Sequence, residues 1–216
     1  MTRRQSVLIK VVVGVIALGV LGVLFVRSAQ STRSEPYTVT RDRLGRWTLT
    51  IDAMPARSGV VLGLRPQPEL ASELFNQVFL RSGESMNGPT PPAMPLVLQR
   101  ELDDAVGDAL APESLLALAR ASGLESATFE PRCMAHRRVS EPGSTRQVFF
   151  VRFKWPAFDE FRRQVSQQMG AAGHTGFEPA ALSPVLIVAA SDAAFATWLP
   201  LQASAIDDCL APIAVR

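Results

Sequence analysis

The chain is poor in cysteine, histidine and lysine. Two cysteines in 216 residues exclude a small scaffold built on a dense disulfide framework. Two histidines, His136 and His174, leave few candidates for an imidazole base or metal ligand. Lysine occurs only at positions 10 and 154, and the arginine-rich remainder suits a GC-rich bacterial genome. No G-x-G-x-x-G, P-loop, H-E-x-x-H or EF-hand spacing is present, so no cofactor or resident metal is expected from local motifs. Long apolar runs are also scarce, with one at the N-terminus, which excludes a multi-pass protein. With 47% hydrophobic and 19% charged residues over the whole chain, the composition is that of a protein with one ordinary globular domain, neither disordered nor collagenous nor a repeat array.

Val11 to Val26 carries no polar side chain and cannot belong to a soluble surface. From Ser6 to Val26 there are 21 residues, which as a helix span roughly 31 Å, enough for a hydrocarbon core of about 30 Å. Lys10 lies near the start, where its stem can snorkel to the headgroups. A cleavable signal peptide is the competing reading, but with Ala29 at −1 the −3 position would be Arg27, where a small residue is required. Arg3 and Arg4 favour a short cytoplasmic tail, because a long domain translocates largely regardless of charge. Residues 1–5 are thus expected as the tail, 6–26 as the anchor, 27–35 as a polar linker and 36–216 as an extracytoplasmic domain. Gly14, Gly19 and Gly22 form no strict G-x-x-x-G and read as ordinary membrane-helix residues. Arg3, Arg4, Lys10 and Arg27 lie in or beside the apolar run; without these four, the 22 basic residues become 18 against 20 acidic. The domain therefore has no polyanion footprint, and no nucleic-acid partner is expected.

In the domain, Tyr37 and Val39, then Trp47, Leu49 and Ile51, alternate with polar residues about Asp42 to Gly45, which predicts a hairpin with one buried face. Val60 to Leu64 suits a third strand. Leu70, Leu74, Phe75, Val78 and Phe79 recur at helical spacing after Pro68 and before Gly83, predicting a helix over 68–82. The proline-rich stretch Gly83 to Pro95 reads as an exposed loop, Leu96 to Leu98 as a short strand or helix start, and Pro112 to Ser122 as a helix stopped by Gly123. Alternation over Ala127 to Val139 and Gln147 to Trp155, around Ser140 to Ser144, predicts a long hairpin with Cys133, Ala135, Phe149, Val151 and Phe153 on its inner face. A helix from Pro156 to Met169 ended by Gly170, a buried strand Val185 to Val188 and an edge strand Leu210 to Val215 complete the pattern. The expectation is an α+β domain with helices on one face of a mostly antiparallel sheet, preceded by one transmembrane helix.

Several residues are candidates for chemistry. Cys133 and Cys209, both on the part placed outside the cytoplasm, are expected to form a disulfide. The alternative, a zinc site using Cys133 and His136 with Asp207, Asp208 and Cys209, is disfavoured because strand positions three apart point to opposite faces. Ser191 follows a strand as in a nucleophile elbow, but Ala189 and Ala193 replace the needed glycines and both histidines precede it; a helix cap accounts for it more simply. His136 reads as a solvated strand residue and His174 as part of a glycine-rich loop where an imidazole could meet a ligand. Asp103 with Asp104, and Asp207 with Asp208, are neighbours whose side chains diverge and make no convincing acid/base pair.

These features imply a single-pass anchored domain in the bacterial inner membrane. They fit an accessory or binding module for an envelope protein better than the two alternatives, a tethered hydrolase using His136 or His174 and a module for an apolar ligand or lipid. Nothing in the sequence fixes an oligomeric state.

Overall fold

The computed structural model describes residues 18–22, 35–51, 59–105, 110–199 and 209–216. The chain divides into two units, Met1–Glu35 and Pro36–Arg216. Among the described residues no helix is long and apolar enough to cross a membrane; residues 18–22 are helical, and the rest of the apolar segment lies outside the described residues.

Pro36–Arg216 is α+β, but it is built on two sheets, not one. Strands β1 (Tyr37–Val39), β2 (Thr48–Ile51), β3 (Val60–Arg65), β4 (Met94–Leu98), β5 (Glu130–Glu141), β6 (Ser144–Lys154), β7 (Val185–Ala190) and β8 (Cys209–Val215) form a five-stranded sheet ordered β1-β8-β5-β6-β7 and a three-stranded sheet ordered β2-β3-β4. The larger sheet is mixed, because β1 runs parallel to β8. The helices are α1 (Arg41–Leu44), α2 (Pro68–Ser82), α3 (Gln99–Ala105), α4 (Pro112–Ala121) and α5 (Pro156–Ala171).

The expected hairpin from Tyr37 to Ile51 does not form. Residues 41–44 coil into one helical turn, Arg41 donates its N–H to the Arg216 carbonyl, and the two strands go to different sheets, β1 to β8 and β2 to β3. Alternation states that one face is buried and leaves the partner open. The last strand, expected at an edge, lies inside the sheet between β1 and β5.

Helix α2 matches its predicted bounds: proline opens it and Gly83, at φ 64°, closes it by donating to the Phe79 carbonyl, a conformation that glycine adopts without a Cβ clash. Helix α5 runs past Gly170 to Ala171, and Gly173 at φ 87° follows. The proline-rich loop is less free than its composition suggests. Asn87 exchanges two backbone hydrogen bonds with Ala190 at 2.7 and 2.8 Å, extending the edge of β7, and β4 already begins at Met94. Pro95 is tolerated there because β4 is an edge strand.

The β5–β6 hairpin forms as expected, with a correction to its faces. A bulge between Pro131 and Cys133 shifts the register, so Cys133 lies opposite Arg152, Ala135 opposite Phe150 and His136 opposite Phe149. Cys133 and Ala135 therefore share the face opposite to Phe149 and Val151. Both faces of β6 are buried from Gln147 to Val151. Trp47, Phe129, Phe153, Trp155 and Phe158 meet edge to face or tilted, with centroids 4.8 to 5.8 Å apart, joining the start of β2 to the end of β6 in one apolar core.

Candidate functional site

Where β5, β6 and β7 end together, polar side chains gather on Gln147, which is 3% exposed at the head of the buried apolar stretch Val148 to Val151. Its carboxamide must be satisfied, because an unpaired buried amide is costly. Arg138 Nη2 donates to Gln147 Oε1 at 3.1 Å, and since arginine has donors only, that atom is the acceptor. His136 Nε2, 2.9 Å from the same oxygen, therefore carries its proton. The imidazole is stacked on Phe149 with centroids 4.4 Å apart. Gln147 Nε2 donates in turn to Glu84, just beyond α2, and Glu84 lies 4.0 Å from Arg138. The network ties the loop after α2 to the hairpin.

Ser191 reaches the same residue by its backbone. Its N–H donates to the Gln147 carbonyl at 2.9 Å, and its Oγ accepts the Gln147 N–H at 3.0 Å. The hydroxyl thus replaces a main-chain carbonyl as the last rung of the β6–β7 ladder and does not cap a helix. Asp192 takes the turn that follows, with Oδ1 accepting the Ala194 N–H at 2.9 Å and Oδ2 accepting from Arg146 Nε at 2.8 Å. Arg146 also bonds Thr197, lies 3.6 Å from Glu141 and covers the Trp198 ring at 4.9 Å. Burial pushes the Asp192 carboxyl up, but the Arg146 hydrogen bond, the Ala194 N–H and the Arg146 charge outweigh it and hold the group below its usual range.

The strongest buried charge is Arg162 on α5, fully buried. Its five N–H groups meet five acceptors: Nε the Pro179 carbonyl, Nη1 the Leu96 carbonyl and Glu101, Nη2 Glu101 and the Glu178 carbonyl. No donor is left for a ligand, so the residue clasps α5, β4, α3 and the turn at Pro179–Ala181. Removing one partner of such a pair costs about 3–5 kcal/mol. Nearby Asp159 is pushed up by burial, against the pull of the Arg162 charge.

Cys133 and Cys209 form the expected disulfide, with Cα atoms 5.8 Å apart. His136 and Ser191 converge on one residue, Gln147, which sequence reasoning passed over as part of an apolar strand face. A polar amide inside an alternating aromatic run was the available signal. His174 is elsewhere, half-buried beyond α5, where its N–H donates to the Met169 carbonyl at 2.9 Å. Asp103 and Asp104 lie on α3, and Asp207 and Asp208 are outside the described residues. Among the described residues no group of three or more His, Cys, Asp or Glu could hold a metal ion.

The same contacts orient the free side of the hairpin. Gln147 directs its N–H and carbonyl towards β7, so the pair Arg138 with Gln147 is a non-hydrogen-bonded one, and Arg138 and Ser140 point their own N–H and carbonyl groups away from β6. Strand β8 pairs with β5 only at Cys133 to Ala135. From Arg138 to Glu141, β5 has no strand partner on that side among the described residues, and these residues are exposed. A scan against protein-family models and searches of the curated proteins and of the solved structures found no match.

Proposed function

We propose that this protein is a membrane-anchored, non-catalytic accessory module that captures an extended segment of an envelope protein along the edge of β5 that has no strand partner among the described residues. The observation that carries the reading is the outward-facing main chain of Arg138 and Ser140, which offers donors and acceptors to an added strand. Val139, 40% exposed, adds an apolar contact on one face, and Arg138 adds charge on the other. The disulfide to β8 fastens β5 just before this stretch, and the Gln147 network braces the hairpin from the β6 side. The apolar run from Ser6 to Val26 supports a single-pass anchor in the inner membrane with the domain on the periplasmic side. The hydrolase reading draws little support, since Ser191 Oγ accepts from the Gln147 main chain and His136 Nε2 is held on the Gln147 carboxamide oxygen, so the two side chains do not bond each other.

Ser140→Pro tests the proposal. Proline at an outward-facing edge position removes one donor and leaves the β5–β6 ladder intact. The variant should be folded and abundant, with an unchanged melting transition, yet fail to complement a deletion strain. Full complementation by the folded variant would refute strand capture at this edge.

A further inference from the structure

We propose that the C-terminal end of α2 is a docking surface for the bilayer itself, holding the domain in a fixed orientation against the lipid headgroups; this rests on the anchor reading above. Apolar side chains on a soluble surface are ordinarily scattered singly. Here Leu80 is 79% and Phe79 47% exposed, and Phe79 is stacked on the half-buried Phe75 at 6.5 Å between centroids. Together they form an apolar tip on the last turn of the helix.

The point where the chain enters the domain is fixed beside that tip. Arg81 Nη2 donates to the Pro36 carbonyl at 2.9 Å, and its guanidinium covers the Tyr37 ring at 4.0 Å. One turn earlier, Gln77 brackets Thr38, accepting its N–H at 2.9 Å and donating to its carbonyl at 2.7 Å. The first residues of the domain thus run along the last two turns of α2. Nine residues, Arg27 to Glu35, separate this point from the apolar segment, and nine residues of any conformation span at most about 30 Å. An anchored domain therefore keeps Phe79 and Leu80 within easy reach of the headgroups, at a high effective concentration of membrane.

The charge along α2 has the matching polarity. Glu69 and Glu73 occupy its first half, and Arg81 is the basic residue of its last turn. Two large apolar side chains beside an arginine, with the nearby Glu84 turned to Gln147 and Arg138, fit an interface where aromatic and aliphatic groups enter the acyl boundary and a guanidinium meets anionic phosphate.

The test uses the full chain in vesicles of phosphatidylcholine with phosphatidylglycerol. The two native cysteines are bridged, so a nitroxide can be placed selectively at Leu80→Cys, at Leu21→Cys in the apolar segment, or at Ser114→Cys on an exposed position of α4. Accessibility to dissolved oxygen is compared with that to a water-soluble nickel chelate. Docking predicts that the label at position 80 is shielded from the chelate several-fold more than that at 114. Adding Phe79→Glu should reverse the shielding, with a docking constant about tenfold lower for the apolar side chain lost. Shielding at 21 without shielding at 80 overturns docking and leaves the anchor standing. Chelate access at 21 overturns the anchor, and docking with it. Dipolar broadening between labels at position 80 would mean that the tip meets a second copy of the chain, which also overturns the lipid assignment.

Discussion

Single carboxylates in this protein carry opposite pH signatures. Asp192 has its pKa lowered in the fold, so its contribution is fully present above the unfolded carboxyl value and is lost as pH falls through the folded one. Asp159 has its pKa raised, chiefly by burial, so its ionised form costs stability at neutral pH and that cost vanishes on acidification. Asp192→Asn should lower stability by about 1 kcal/mol at pH 7, as expected for a partly exposed pair, and the gap to the parent should narrow at about pH 2, below the usual carboxyl range. Asp159→Asn should do the reverse, gaining at pH 7 and converging in acid. Chemical unfolding at the two pH values measures both, and a gap for Asp192→Asn that persists unchanged in acid would refute the assignment. The roles of Gln147, Ser191 and Arg162 were not legible in the sequence, because each depends on acceptors or donors brought from far along the chain. His136 and Ser191 stood out as residue types, but their shared partner did not.

At the level of elements, the disulfide does more than close a loop. Strand β8 lies between β1 and β5, and among the described residues β1 has no other strand partner. Fastening β8 to β5 through Cys133 and Cys209, 76 residues apart, therefore secures β1 as well. By the chain-entropy model the bridge contributes about 4.5 kcal/mol, comparable to the net stability of many domains. The double substitution Cys133→Ser with Cys209→Ser should cost several kcal/mol in denaturant unfolding. It should also speed hydrogen exchange in Tyr37–Val39, although neither cysteine is near β1 in sequence. Undiminished protection of β1 would show that the bridge acts on β8 alone. Periodicity revealed helices α2, α4 and α5 and the β5–β6 hairpin, all closed by contacts local in sequence. It misassigned β1 and β2, whose partners lie at the far end of the chain and beyond the next loop.

For the whole molecule, the anchor reading and the strand-capture reading make one joint demand. If the domain acts on a membrane partner, tethering supplies effective concentration and not chemistry. Deleting Ser6 to Val26 and exporting the remainder with a cleavable signal should leave the domain folded but fail to complement at native expression, with partial rescue on overproduction. Full complementation by the untethered domain at native level would refute the need for an anchor.

The sequence alone determined what is local: the apolar segment and the sign of its flanks, the charge balance of the rest, helix limits set by proline and glycine, the alternation that makes strands and the two cysteines available to pair. These follow from single residues and from periods of two and 3.6, which need no knowledge of the fold. Tertiary structure decided which strands share a sheet, where the bulge at Arg132 exchanged the faces of β5, and that Glu84, His136, Arg138 and Ser191 meet on Gln147. It also decided which main-chain groups of β5 point outward and that the last turn of α2 lies against the first residues of the domain. Each depends on register or on contacts between distant segments, and a pattern along one strand holds no information about the chain beside it.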